Sequence, residues 1–250
     1  MPKITNDDMH EVRIYQIDDT FDKFNVKGLR LTDTFLQSGA LDERIYKEVL
    51  NIKMPTDNIY DIYSKFVDKK DFHPLYRGES FKTSDVLVID NCAYYKNPDE
   101  FLRVAFKESL THKENNLLDV IYVEPNLPAY KAEVRNELED IQKAVKGCFQ
   151  IVYNSDDTLI VCNDEAKLLN MDGNRHLEGG GVIAGPFFVT AEKEDDFSSL
   201  SKDEQEKYLN KYETPESISQ TEVQNDMGYT FYVSSPNDFM SPNSFMGMTD

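Results

Sequence analysis

Hydrophobic and polar positions follow two different periods along this chain, and the two periods predict both strands and helices. Residues 12–17 alternate apolar and polar side chains, which is typical of a half-buried strand. Residues 86–89 are apolar at every position, which indicates a central strand, and residues 93–95 form its return partner after an Asp-Asn turn. Apolar residues three and four apart in residues 59–66, behind several capping candidates, predict a helix with one apolar face.

Three other stretches of the first half are less regular. The run Asn97-Pro98-Asp99-Glu100 has the composition of a helix start, and the apolar residues of 101–106 supply a buried stripe for that helix. Residues 44–52 fit either a helix or a strand. Residues 21–31 are expected to pack their aromatic side chains in irregular structure before a turn at Ser38-Gly39.

The second half has a clearer order of elements. Residues 117–123 form an apolar strand that Pro125 and Pro128 end. Asn136 and Glu139 then fit a capping box for a helix that closes at Gly147. Residues 149–153 and 158–162 predict two strands joined by a four-residue hairpin loop.

The remaining elements lie beyond residue 180. Residues 182–189 predict a last strand, and Pro186, which lacks a ladder donor, places that strand at a sheet edge or at a bulge. Ser201 and Glu204 cap a final helix that Pro215 stops. From residue 216 onward the composition shifts to Ser, Asn, Pro and Met. Within it, residues 229–233 can form one strand, and Met240, Met246 and Met248 serve either as adaptable contacts or as part of a frayed terminus.

These elements predict an α+β protein of two small mixed α/β-sheet domains with an irregular C-terminal tail. The polar stretch 111–116 marks the boundary between the domains. The predicted domains therefore span residues 1–110 and 117–213, and the tail spans residues 214–250.

Charge separates the two halves further. The chain has 46 acidic and 27 basic residues, a net charge of −19. Residues 111–250 contain 26 acidic and 11 basic residues, a net charge of −15, whereas residues 1–110 have a net charge of −4. Such a surface repels phosphate backbones, so direct nucleic-acid binding is not expected, and a protein with a basic surface is the natural partner. The alternative is that the charge serves solubility alone.

The sequence also indicates a compartment. Its longest apolar run has about a dozen residues, fewer than the roughly 20 that cross a bilayer, and no export signal follows Met1. Three cysteines without a CxxC pair are typical of reduced thiols. We therefore expect a cytoplasmic protein that does not bind membranes. Its oligomeric state is left open.

Two segments resemble known domains. Residues 12–106, in particular Ser80-Phe81-Lys82-Thr83-Ser84-Asp85-Val86-Leu87-Val88-Ile89 with Ala93-Tyr94-Tyr95, resemble the YodL-like domain. Residues 118–212 resemble an uncharacterised domain that often accompanies it. That likeness rests on Val123-Glu124-Pro125, residues 161–168, Asn174-Arg175, residues 183–189 and residues 196–200. The resemblance implies a phage or conjugative-element context, including proteins thought to protect incoming DNA, and implies no catalytic residues.

Candidate chemistry is sparse. Gly179-Gly180-Gly181 lacks the Lys and Ser/Thr of a phosphate-binding loop, and the four histidines show no metal spacing, so no metal or cofactor is expected. Cys162 and His176 could form a nucleophile and its base. A small packed side chain is the better interpretation of Cys162, because it alternates with Val161 in a predicted strand. Asn174, Arg175, His176 and Gly180 are the candidate ligand-binding residues, because an Arg in an acidic domain is a ready bidentate anchor. The alternative is an Arg that pairs internally with an acid.

The sequence thus favours a non-enzymatic accessory protein of a mobile element that binds and inhibits a host protein, of an anti-defence type such as an antirestriction or anti-CRISPR inhibitor. The candidate partner-binding residues are Glu192, Glu194, Asp195 and Asp196. A small-ligand protein that binds or sequesters a nucleotide is the alternative. An enzyme ranks last, because no catalytic constellation assembles and no catalytic residues are assigned.

Overall fold

A computed structural model describes residues 3–154, 158–194 and 196–226 of the chain. Its first half forms a five-stranded antiparallel sheet in the order β2-β1-β3-β4-β5. The strands of this sheet are β1 His10–Ile17, β2 Tyr46–Met54, β3 Val86–Ile89, β4 Cys92–Lys96 and β5 Phe101–Val104.

The second half forms a larger sheet and a small separate one. In the larger sheet the strand order is β7-β6-β12-β9-β8, with β13 paired to β12, and the small sheet pairs β10 with β11. The strands are β6 Leu117–Val123, β7 Tyr130–Arg135, β8 Phe149–Tyr153, β9 Thr158–Asn163, β10 Gly173–His176, β11 Val182–Ala184, β12 Phe187–Lys193 and β13 Asp196–Ser198.

Five short α-helices accompany the sheets in the described structure, and with the sheets they confirm the predicted α+β class. They are α1 Leu31–Ser38, α2 Ile59–Ser64, α3 Leu138–Ala144, α4 Lys202–Lys211 and α5 Gln220–Asn225. Two predicted starts are confirmed in detail. The Asn58 side chain accepts hydrogen bonds from the first turn of α2, and Ser201 with Glu204 forms a capping box at α4.

The helix predicted from Asn97 is wrong. The segment is a tight turn into β5: the Asn97 N–H donates to the main-chain oxygen of Glu100, and residues 101–104 pair with β4. The Asn97 side chain accepts from the Leu31 N–H at 2.9 Å, so it caps α1, a helix that was not predicted and that begins at the last residue of the irregular stretch 21–31. The ambiguous residues 44–52 lie mostly in β2, which pairs with β1 over its whole length.

One prediction near α3 also fails, and one strand beside it was not predicted. The N-cap of α3 is Glu137, and no side chain caps it, so the box of Asn136 with Glu139 is absent. Strand β7 was not predicted, although it pairs with β6 from Tyr122 to Leu117. Its surroundings explain the miss, because two prolines precede it and a helix follows within three residues.

The strand predicted over residues 182–189 is two strands in different sheets. Gly185 has a φ of 72°, and it breaks the chain together with Pro186. Strand β12 then begins at Phe187 and lies between β6 and β9. Of the two expected arrangements, an edge strand or a bulge at Pro186, the edge position is therefore wrong, because Pro186 lies just before the β12 ladder and costs it no donor.

The tail begins as ordered structure. Residues 214–226 include α5, whose Val223 is fully buried and packs with Ile218 against residues of the small sheet. The strand suggested over 229–233 and the candidate contacts Met240, Met246 and Met248 lie outside the described residues. No helix in the described ranges has the length and apolar character needed to cross a bilayer.

One apolar cluster contains residues from both large sheets. Val12, Ile14 and Leu50 of the first sheet share it with Val120 and Tyr122 of the second. A second cluster packs the opposite face of the larger sheet against α4 through Tyr208 and Tyr212. The larger sheet is therefore covered on both faces, by the first sheet on one side and by α4 on the other.

Candidate functional site

Arg175 is a buried structural residue. Its side chain lies on β10 and is 1 % exposed. Nη1 donates to the main-chain and side-chain oxygens of Asn174, and Nη2 donates to the main-chain oxygens of Leu127 and Tyr212. Burial lowers the pKa of this guanidinium. The structure therefore shows the second of the two possibilities, an Arg that is bound internally. Its hydrogen-bond acceptors are carbonyl oxygens, where a carboxylate was expected.

The other candidate ligand residues lie around Arg175 but differ in exposure. Asn174 is fully buried and donates to the Val123 and Gly185 oxygens. His176 is exposed, and its two ring nitrogens contact Glu216 and Glu222, which raise its pKa. Gly180 is exposed at a turn with a φ of 93°. Asn174 and Arg175 therefore face the interior, and His176 and Gly180 face solvent.

The β12–β13 hairpin brings together the candidate partner-binding acids. Glu192 and Asp196 lie on its two strands, and Glu194 lies at the turn with a φ of 55°. Lys193 stands opposite Asp196 in the ladder. Glu194 and Asp196 are exposed, Glu192 is half-buried, and Asp195 lies outside the described residues.

A buried charged cluster lies where the two sheets meet, and no local sequence pattern predicts it. Arg77, 4 % exposed, donates from Nε to Glu114 at 3.0 Å. Its Nη2 lies 3.6 Å from Glu133 Oε2 and 4.0 Å from Glu48 Oε1, and neither of those buried oxygens accepts a hydrogen bond from a described residue. Burial, followed by the charge of Glu133, raises the pKa of Glu48 to about 7.

A polar cleft of about 480 Å³ opens beside this cluster, on the first half of the molecule. Its floor includes Asp85, which precedes β3 and is 3 % exposed. Asp85 Oδ2 accepts hydrogen bonds from Gln16 Nε2 at 2.7 Å and from the Lys82 N–H at 2.8 Å. Burial is the largest influence on this carboxyl and raises its pKa to about 7. A buried, cleft-lining carboxyl with a raised pKa is a common mark of a functional site.

Three lysines and three carboxylates form the rim of this cleft. Lys27 pairs with Asp19 at 2.9 Å, Lys82 pairs with Glu79 at 3.2 Å, and Lys47 lies 4.0 Å from Asp18. No local sequence pattern marks this cleft as a whole, because its residues come from three distant segments of the chain. One signal was present, since Asp85 is a lone acid directly before the wholly apolar run 86–89.

The described residues contain neither a metal-binding group nor a cysteine with the properties of a nucleophile. Within the described ranges, no group of three His, Cys, Asp or Glu side chains has the geometry to hold a metal ion. All three cysteines are free. Burial raises the pKa of Cys162 to about 11, so this thiol is protonated at neutral pH and is not a ready nucleophile.

The comparisons with known proteins bear on the second half of the chain. No curated protein and no solved structure matches the chain. The likeness of residues 12–106 to the YodL-like domain stays a prediction. Residues 118–213, which hold the larger sheet, the Arg175 cluster and α4, match the model of a family described as a domain of unknown function (DUF3846).

Proposed function

We propose that this chain is an accessory protein of a phage or mobile element that acts in the host cytoplasm by binding and inhibiting a host protein, as an anti-defence inhibitor does. In this proposal it is not an enzyme. The observation that carries the proposal is the acidic β12–β13 hairpin in the half of the chain with a net charge of −15. The resemblance of both segments to domains of mobile elements adds support.

The hairpin suits a basic partner for an electrostatic reason. Glu192, Glu194 and Asp196 lie within five residues, and Lys193 is the basic residue among them. A hairpin holds such charges close together on a short, hydrogen-bonded element. Opposite charges across an interface speed encounter and fix orientation, and salt weakens them because the Debye length is about 10 Å at 0.1 M.

The test is a binding measurement on an identified partner. The full chain is used to recover a stoichiometric partner from a host lysate, and the purified partner is then tested for inhibition and for association rate. Replacing Glu192→Gln, Glu194→Gln and Asp196→Asn together is expected to lower the association rate about tenfold at low salt. A matched variant, with Glu137→Gln, Glu139→Gln and Asp164→Asn, removes three exposed acids elsewhere on the same half.

The control variant separates a local effect from a general one. An equal loss in both variants would show that only net charge matters and would remove the hairpin from the proposal. Failure to recover any stoichiometric partner, at low or moderate salt, would count against the inhibitor function itself.

A second candidate function is the binding of a small ligand, and the Asp85 cleft favours it. The guanidinium of Arg175 already donates to four internal oxygens, so a nucleotide at Arg175 would have to displace them. The cleft instead offers an open volume with a charged floor and rim. Thermal-shift screening of nucleotides and small charged molecules tests this function.

A further inference from the structure

The floor of the cleft has an unused hydrogen-bond acceptor. Asp85 Oδ2 has two donors, Gln16 Nε2 and the Lys82 N–H, but Oδ1 has no hydrogen-bond partner among the residues that the structure describes. Oδ1 is not fully enclosed by protein atoms, and Asp85 lines the cleft. Oδ1 is therefore accessible from the cleft. A nearly buried carboxylate with one free oxygen lowers its free energy by accepting a bond from a ligand.

The number of free oxygens selects the kind of donor. A guanidinium or the edge of a guanine base binds a carboxylate best through two parallel hydrogen bonds, which require both oxygens. Asp85 has only Oδ1 to offer, because Gln16 and Lys82 hold Oδ2 in place. Gln16 cannot turn to release it, since its own oxygen accepts from the Glu79 N–H at 2.8 Å. A compact ammonium group, which acts as a point charge, suits this floor better.

The lysines on the rim of the cleft can bind an anionic group of the same ligand. Lys27 and Lys82 pair with Asp19 and Glu79, whose side chains are 75 % and 65 % exposed. Exposed ion pairs of this kind contribute at most about 1 kcal/mol, so an anionic group on a ligand can replace either carboxylate. Lys27 and Lys82 also both lower the pKa of Asp85 by their charge, so they lie near the floor as well as on the rim.

From this geometry we infer that the cleft binds a small zwitterion, with its ammonium group on Asp85 Oδ1 and its carboxylate, sulfonate or phosphate on Lys27 and Lys82. The volume of about 480 Å³ lies within the usual range of small-molecule sites. The inference rests on the second candidate function and does not depend on the acidic hairpin, which lies on a different sheet. A bound ammonium would also offset the cost of burying the Asp85 charge.

Calorimetric titration of the full chain tests the inference with probes that carry both ends or only one. Taurine and γ-aminobutyrate carry an ammonium and an anionic group, whereas ethanolamine and acetate carry one each, and guanosine monophosphate stands for nucleotides. We expect the two-ended probes to bind at least tenfold more tightly than either one-ended probe. Asp85→Asn and Lys82→Met are each expected to weaken that binding at least tenfold.

The matched control is Lys70→Met, because Lys70 is an exposed lysine that pairs with Asp68 outside the cleft. This variant should bind as the unchanged protein does. Thermal unfolding checks that Asp85→Asn is folded, and Lys82, which is 61 % exposed, provides a second variant that does not disturb the interior.

Two results would overturn the inference in distinguishable ways. Tight binding of guanosine monophosphate without binding of the zwitterions would retain a small-ligand function and reject the ligand class. Absence of binding by all probes, or zwitterion binding that survives both Asp85→Asn and Lys82→Met, would reject the site.

Discussion

Arg175 Nη2 donates a 3.0 Å hydrogen bond to the main-chain oxygen of Tyr212, and this bond joins β10 to the end of α4. The same nitrogen donates to Leu127, in the loop between β6 and β7. One buried side chain thus ties together three segments that are far apart in sequence. Its charge has no carboxylate among its hydrogen-bond acceptors, so main-chain dipoles supply much of its stabilisation.

Replacing Arg175→Met should destabilise the protein by about 3 kcal/mol or more, because buried carbonyl oxygens lose their donors at about 1–3 kcal/mol each. Chemical denaturation measures the change. The neighbouring exposed residue provides the control, and His176→Ala should change the free energy of unfolding far less. Equal effects of the two substitutions would show that the main-chain contacts of Arg175 contribute little.

Gly173→Ala should loosen residues 216–226. A Cβ at Gly173 would lie 2.5 Å from Ile218 Cγ2 and 3.0 Å from Val223 Cγ2, which is too close for either contact. Faster hydrogen exchange or proteolysis of α5 is the expected result. Gly179→Ala is the matched control, since no atom lies within 4 Å of its Cβ position. Unchanged protection of α5 in Gly173→Ala would mean that this segment shifts at little cost.

The free energy of unfolding should fall as pH rises from about 4 to 7 on account of Asp85. Its pKa is about 7 in the folded protein and 3.8 ordinarily, so the folded state binds more protons across this window. The contribution of Asp85 is lost as pH rises and stays absent above 7. It amounts to at most about 4 kcal/mol, at 1.36 kcal/mol for each pKa unit.

Denaturation of Asp85→Asn across this pH range tests the assignment, and a flatter profile is expected. The control is Glu79→Gln at the exposed rim of the same cleft, because the pKa of Glu79 is lowered and its effect has the opposite sign. A profile that stays as steep in Asp85→Asn as in the unchanged protein would assign the pH dependence to other groups.

Arg77→Met should cost about 3 kcal/mol at pH 8, because it leaves the buried carboxylate of Glu48 without a cation, whereas the half-buried Glu114 and Glu133 keep Arg135 and Lys113. The cost should be smaller at pH 5, where Glu48, with a pKa of about 7, is protonated. Arg44→Met is the control, since Arg44 pairs with Asp42 at the surface and should matter by less than about 1 kcal/mol. A cost that does not change with pH would contradict this account of Glu48.

The local pattern of apolar and capping residues was enough to predict the elements whose tertiary contacts favour the same structure. Strands β1, β3 and β6 follow from their apolar residues, and α4 follows from its capping box. Asn97 shows where local pattern fails, because Asn and Pro favour both helix starts and tight turns. Only pairing with β4, and the cap that Asn97 supplies to α1, decides between them.

The candidate sites also differ in how far they could be predicted from the sequence. The acids of the β12–β13 hairpin are contiguous in sequence, so they could be named as candidates from the sequence alone. Burial of Arg175 depends on Leu127 and Tyr212, which no spacing rule connects to it. The Asp85 cleft needs Gln16 from β1 beside a loop almost seventy residues later, and such a meeting is set by sheet order alone.

The apolar cluster shared by the two large sheets has a practical consequence for anyone dissecting this chain. Cutting at residues 111–116 would bare Val12 and Ile14 on one fragment and Val120 and Tyr122 on the other. Each fragment would expose an apolar sheet face to water and would bind other proteins non-specifically. Partner screens that use either half alone would therefore report false interactions, so the whole polypeptide is the proper bait.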